Sequence, residues 1–419
     1  MIRQLTPIAA LLLGSAFLLF AGGINGLVLP VRGSAEGFSA LSLGLLGTGW
    51  SIGYVSGCIM APRLVAKVGH IRAFAAMAAL ASVSLLGSAI MVDPVAWIML
   101  RGLCGFCFAG AAMIVESWLS DQSNPRNRGR VFGVYTMVNL AASTAGQMML
   151  TLGDPNGFVL FALGAMFYAL ALVPTALSSS STPAPLVSVR LDLRALWRNS
   201  PVAVFAVFWV GVSNSSFGTL AAVYAERLGL TLTTIALFTS IPILAGALMQ
   251  IPVGILSDKM DRRRVLLGIA FLALTADAGF LLLAPETRGM NLTLAALLGG
   301  SIFALYPVIV AHANDHATPG TSIQISGGLL LTYGIGGIFG PLVAGGLMGA
   351  VGPIALYSVT ASCHVLIITY TLWRISRRVA VDDADKGDFQ ASTGGRGSTP
   401  QTAVLAQEEA AIEAEKGAP

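Results

Sequence analysis

Arg101, Glu116 and Asp277 stand within long apolar stretches of the chain. An ionised side chain is costly there and is usually kept facing a cavity or a partner. An arginine in such a place offers two chemistries. It can grip a carboxylate or phosphate with its planar, two-pronged guanidinium, or its charge can tune a nearby proton site. Arg101 is therefore a candidate for substrate binding or proton coupling, with a satisfied arginine near the interface as the bland reading. Asp277 is a candidate for proton coupling or for a hydrogen bond between helices. Glu116 follows Arg101 by fifteen residues, which is about 60° around a helix and about 22 Å along it. The two share a face but cannot pair.

Glu116 has other partners available. Arg63, Arg72, Arg128 and Arg130 fall at the same end of its stretch. An acid beside several arginines can close a gate by pairing with one of them. The alternative is a solvated interfacial carboxylate. His312, Asp315 and His316 form a second polar group, with the histidines four apart on one helical face. Three ligands without a second cluster make a poor metal site. A polar gate whose histidines titrate near neutral pH fits better. No metal and no cofactor is expected: the chain has no G-x-x-x-x-G-K-[ST] loop and no soluble domain for nucleotide chemistry. No nucleophile–base set emerges either, so an enzyme is not expected.

The elements that position these residues are helices in a bilayer. Apolar residues make up 55% of the chain and charged residues 11%. A soluble domain carries roughly 25% charged residues. Twelve stretches are each near the 20 or so residues a helix needs to cross the hydrocarbon core: Leu5–Pro30, Leu41–Val65, Ala73–Val92, Val95–Leu119, Val131–Leu152, Phe158–Leu177, Val202–Ala225, Leu232–Leu256, Val265–Ala284, Leu292–His312, Ile323–Met348 and Ile354–Trp373. Continuous runs such as Leu281-Leu282-Leu283 lack the alternation of a barrel strand. The expected class is an all-α membrane protein of twelve spans. The four cysteines fall inside spans, and the Cys104-x-x-Cys107 pair lacks the βαβ context of a redox motif.

With the first span running outward, 20 of the 24 Lys and Arg residues face inside. Arg32, Arg227 and Arg288 face outside, and Arg101 lies within a span. Positive residues mark the cytoplasmic side, so both termini are expected there, in a multi-pass inner (plasma) membrane protein. The net charge of +4 is then an orientation signal and not a nucleic-acid footprint. The low-complexity stretch Ser178–Pro185 divides the spans six and six. The expected organisation is an N-terminal half over 1–177, a cytoplasmic linker over 178–199, a C-terminal half over 200–375, and a polar, disordered tail over 376–419. The halves repeat: shifted by 192 positions, Leu64, Lys67 and Arg72 fall on Leu256, Lys259 and Arg264. Internal repeats around a midplane site mark secondary transporters.

Gly254–Arg263, reading G-x-L-S-D-K-x-D-R-R, resembles the loop signature of the major facilitator superfamily. Its counterpart in the first half departs from the pattern, with Pro62 in place of the glycine and Ala66 in place of the acid. Arg101–Gly105 resembles the family's fourth-span motif and Pro125–Arg130 its next loop. Val115-Glu116-Ser117, Leu305-Tyr306-Pro307-Val308, Leu329–Tyr333 and Gly340-Pro341 are similar to the YcaD-like branch. The resemblance runs from about Leu5 to Trp373. It implies two six-helix halves and a central cavity lined by the first, fourth, seventh and tenth spans. Asn25, Arg101, Asn214 and Tyr306 are then the implied substrate contacts. Glu116, Arg72, Arg128, Arg130, Asp258, Lys259, Arg263, His312 and Asp315 form the implied cytoplasmic gate. Gly-Pro at 340–341 with Gly345-Gly346 is like an antiporter motif in the wrong span, and Pro285–Gly289 is like a sugar-porter motif on the wrong side.

The chain therefore reads as a monomeric secondary transporter of a small organic solute, with proton coupling open. The rival is a non-transporting receptor or scaffold on the same fold.

Overall fold

A computed structural model describes residues 8–123, 128–177, 185–186, 188, 191–318, 320–377, 381, 386–387, 389–390 and 398–402. All regular structure among them is helical. The helices are α1 (Ala9–Ala35), α2 (Ala40–Val68), α3 (His70–Ile90), α4 (Pro94–Gln122), α5 (Arg128–Met148), α6 (Val159–Leu170), α7 (Leu172–Ala176), α8 (Leu193–Asn199), α9 (Pro201–Arg227), α10 (Leu232–Lys259), α11 (Arg262–Leu283), α12 (Arg288–Asn314), α13 (Ser322–Val351) and α14 (Ala355–Ile375).

Eleven of the described segments are long and apolar enough to cross a bilayer, α6 and α7 counting together as one. The expected span at Val131–Leu152 is the exception. It folds as α5 with a 3-10 turn at Met149–Thr151. Two arginines, Asn139 and Gln147 dilute its apolar character. Large apolar side chains such as Val83, Ile90, Leu248 and Leu282 stay exposed. In water that surface would be a liability; in a bilayer it is the solvated face.

The helix starts follow local chemistry. Asp93 accepts from the Ala96 amide at 2.8 Å and Ser200 from Ala203 at 3.2 Å, each followed by a proline at the first helical position. Both features satisfy or dispense with the orphan amides of a first turn. Gly69 has φ 86° and joins α2 to α3 in a single residue, a conformation that L side chains rarely adopt.

The chain forms two compact units. The first comprises residues 1–29, 49–189 and 398–419, and the second residues 30–48 and 190–397. In the first unit, α2 and α4 cross at near-backbone distance. A methyl on Gly53 would stand 1.8 Å from the Gly102 carbonyl oxygen, and one on Gly105 would stand 2.2 Å from that of Trp50. Small residues permit this approach, and it fixes α4 with its Arg101. In the second unit, α9 crosses α13 at Gly211, Gly336 and Gly340 in the same way. The stretch 30–48 belongs to this unit. Its Gly44 meets Pro341 and Gly345 of α13, and Thr48 donates to the Ile338 carbonyl at 2.8 Å. Gly340-Pro341 with Gly345 thus has a packing use here.

Candidate functional site

In the first unit, α1, α4 and α6 bring Asn25, Arg101, Cys104 and Tyr168 together. The Asn25 amide donates to Cys104 Sγ at 3.2 Å and to the Tyr168 hydroxyl at 3.4 Å. Cys104 and Tyr168 are 3.6 Å apart. Arg101 lies one turn before Cys104 and is only 8% exposed. Two polar atoms of this cluster have no hydrogen-bond partner: Arg101 Nε, a donor, and Asn25 Oδ1, an acceptor. A buried unpaired polar group costs about 1–3 kcal/mol, and more when charged. The cluster can therefore bind a small molecule that brings an acceptor for the guanidinium and a donor for the amide oxygen. Asn25 and Arg101 were both expected substrate contacts; Tyr168 was not singled out, and Cys104 had read as packing.

Glu116 lies three turns further along α4 and is fully buried. The expected arginine partnership is not what the described residues show. Arg72 is exposed, and the side chains of Arg128 and Arg130 lie outside the described residues. Glu116 instead accepts hydrogen bonds from three hydroxyls: Tyr135 at 3.1 Å, Thr402 at 2.9 Å, and Thr399. Burial favours this solution, because neutral donors solvate a carboxylate without adding a second charge to desolvate. Ser398, Thr399, Gln401 and Thr402 are all buried.

In the second unit, Asn214 of α9 donates to the Ile302 carbonyl at 3.1 Å, and its Oδ1 has no partner. Tyr306 of α12 packs edge-on against Tyr333 of α13, ring centroids 5.5 Å apart. Asp277 sits in a buried network of α9, α11 and α14. Its Oδ2 is 2.6 Å from His364 Nδ1, its Oδ1 accepts from Thr360 at 2.7 Å, and His364 Nε2 is 3.2 Å from Ser213 Oγ. His364 carried no signal in the sequence reading. Its spacing of four from Thr360 puts both on the Asp277 side of α14.

The loop end of the same unit is a charge network. Arg262 is 1% exposed, and its Nε approaches Asp315 Oδ2 at 2.7 Å. Its other nitrogens meet Ser257 at 3.3 Å, Asp258 at 3.6 Å and the Gly387 carbonyl. Burial pushes the Asp315 carboxyl upward, and the neighbouring Arg262 only partly opposes it. Arg263 folds back on Asp261 with contacts at 2.8–3.2 Å. Burial alone would raise Asp261, but the Arg263 hydrogen bonds and charge hold it below its ordinary value. Of the expected gate residues, Asp258 and Asp315 meet at Arg262. Lys259 is exposed. His312 is buried, with its ring 4.8 Å from that of His316. Arg262 itself was missed as a site residue, because three consecutive arginines give no sign of which one meets Asp315. No group of three His, Cys, Asp or Glu placed to hold a metal occurs among the described residues.

The major facilitator superfamily description matches residues 11–341 and 203–406. The MFS-type transporter YcaD of Shigella flexneri is 24% identical over 375 residues, 87% of this chain and 95% of that protein. Among solved structures, the nucleoside transporter NupG superposes with a TM-score of 0.75 at 14% identity, over 89% of this chain and all of the other. A bacterial homologue of the human lysosomal transporter Spinster gives 0.70 at 14% identity, over 90% and 97%.

Proposed function

This chain belongs to the major facilitator superfamily, and on that premise we propose that it is a secondary active transporter of a small organic solute with an acidic group. It is not an enzyme: its family and relatives are transporters. The observation that carries the solute class is the buried, unpaired pair of Arg101 Nε and Asn25 Oδ1. A carboxylate or phosphate answers the guanidinium, and a hydroxyl or N–H on the same molecule answers the amide. In the second unit, Asn214 Oδ1 and the Tyr306–Tyr333 pair are that half's own candidate polar and aromatic solute contacts.

In this reading α5 is the twelfth span, its polar residues facing other helices. Residues 1–177 and 200–375 are the two halves, joined through the linker 178–199, with both termini in the cytoplasm and the protein a monomer in an inner membrane. The halves expose the site alternately to each side. The gate set is Glu116, Arg72, Arg128 and Arg130 with Asp258, Lys259, Arg263, His312 and Asp315. Asp277 is the candidate proton-coupling residue, a carboxylate buried within a span with Oδ2 2.6 Å from His364 Nδ1.

The test is a thermal-stability screen of the purified full chain in detergent against carboxylates, phosphates and their neutral isosteres. Acidic solutes should stabilise the native protein and lose that effect in Arg101→Ala. Stabilisation by neutral isosteres alone, or stabilisation indifferent to Arg101, would overturn the reading.

A further inference from the structure

The chain after α14 was expected to be a solvated tail, and composition supports that: it is rich in Gly, Ser, Thr and acidic residues. Two of its stretches are nevertheless held by many bonds. In the second unit, the Lys386 ammonium donates to the Met260 carbonyl at 2.9 Å. The Gly387 amide donates to Asp315 Oδ1 at 3.2 Å, and the Gly387 carbonyl accepts from Arg262. The Phe389 amide donates to Asp258 Oδ1 at 2.9 Å. Its ring lies over Gly254, where a methyl would meet it at 2.6 Å. In the first unit, Ser398 accepts from the Tyr54 hydroxyl, and Thr399 and Thr402 donate to both oxygens of Glu116. Within the stretch, the Thr399 amide bonds Thr402 Oγ1 at 2.7 Å and the Gln401 amide bonds Thr399 Oγ1 at 3.1 Å. The hydroxyls are thereby aimed before they reach the carboxylate.

These partners are not random surface. Glu116 is fully buried within α4, and Arg262 and Asp315 form a buried pair with the more exposed Asp258 beside it. A carboxylate buried in a helix bundle needs donors, and here the tail supplies two of the three described ones. Backbone amide and carbonyl of one residue, Gly387, meet both members of the Arg262–Asp315 pair.

We propose that Ser398–Thr402 is an internal ligand of the Glu116 site, a docked segment that closes this site in the resting protein and must leave it before Glu116 can take another partner. Gly387 and Phe389 make their own contacts within the second unit. The docking stands independently of the transport reading. If that reading also holds, the docked segment keeps the transporter idle.

The experiment uses the full chain with its four native cysteines replaced and Ser398→Cys introduced, labelled by a maleimide in detergent. Docked, Cys at 398 should react far more slowly than in the protein unfolded by SDS. Thr399→Val with Thr402→Val keeps side-chain shape and removes the donors to Glu116, together with the acceptors of the Thr399 and Gln401 amides that aim them. It should accelerate labelling by about tenfold or more, the effect of losing one or more hydrogen bonds to a charge. A second readout retains native Cys58 alone. Cys58 is buried one turn from Tyr54 on the same face of α2. The same double substitution should raise its labelling as the segment leaves. Folded yield and thermal stability of the cysteine-replaced protein with and without the valines are compared first, and labelling is read only from variants that keep the folded state. Rapid labelling at 398 without the substitutions overturns docking. Slow labelling that the valines do not change shows that Glu116 is not what holds the segment. An unchanged Cys58 rate overturns closure.

Discussion

Replacing Asp315 by Asn leaves the Arg262 guanidinium buried beside a neutral group. Arg262 is 1% exposed and its charge partners are unequal. Asp315 lies at 2.7 Å and is 3% exposed, whereas Asp258 lies at 3.6 Å and is 42% exposed. Breaking a buried pair by removing one member costs about 3–5 kcal/mol, because the other charge stays desolvated and unpaired. Exposed pairs are worth about 0–1 kcal/mol. Asp258 remains close enough to recover part of the loss, which places Asp315→Asn near 3 kcal/mol and Asp258→Asn below 1 kcal/mol. Replacing both members by apolar residues, Arg262→Met with Asp315→Leu, removes the stranded charge and should return most of the stability. The assay is equilibrium unfolding of the detergent-solubilised protein for all three variants at neutral pH. If Asp315→Asn costs no more than Asp258→Asn, or if the double replacement is worse than the single, the burial argument fails.

Gly336→Ala should destabilise by about 1–3 kcal/mol, since its methyl would stand 2.2 Å from the Phe208 carbonyl oxygen. Gly268→Ala on α11, where a methyl meets nothing within 4 Å, should instead be neutral or stabilising by up to about 1 kcal/mol in the same unfolding assay. Against the effect of burial, the folded-state pKa of Asp261 is lowered by the Arg263 hydrogen bonds and charge. Its stabilising contribution is therefore present above the ordinary carboxylate value near 3.9 and is lost as pH falls through the lower folded one. Asp261→Asn should thus cost stability at neutral pH and progressively less in acid; a penalty independent of pH would contradict the charge-based account. Asp277→Asn should flatten the pH dependence of uptake while leaving solute exchange intact, and an unaltered pH profile would remove Asp277 from coupling.

Composition alone made the helical membrane class legible, and the positions of Lys and Arg gave an orientation. The fold went as expected where the driving force was generic: apolar stretches became helices, and Asp93-Pro94 and Ser200-Pro201 began two of them. Val131–Leu152 was harder: it is helical over most of its length, but Asn139 and Gln147 and the arginines at the start of α5 lower its apolar character. Asn25 and Arg101 were found as unusual polar residues in apolar surroundings. Tyr168 and Cys104 were not, since their role is to orient Asn25 from helices far apart in sequence. Glu116 stood out as an acid within an apolar stretch, and its partners among the described residues are hydroxyls. Charge pairing suggested arginines, whereas the carboxylate is solvated by hydroxyls from residues 283 and 286 positions away. A five-residue docking stretch inside a polar tail leaves no trace in hydropathy or composition.

The account rests on Arg101 as the group that recognises the transported solute. The direct measurement is counterflow in proteoliposomes, with the acidic solute that most stabilises the protein in the thermal screen loaded inside and its radiolabelled form outside. The unaltered protein should accumulate label transiently. Arg101→Ala should lose this almost entirely, and Arg101→Lys should retain a weakened signal, because an ammonium keeps the charge but not the two-pronged geometry. All three should reconstitute with equal folded yield. Counterflow by Arg101→Ala at the level of the unaltered protein would contradict the central claim.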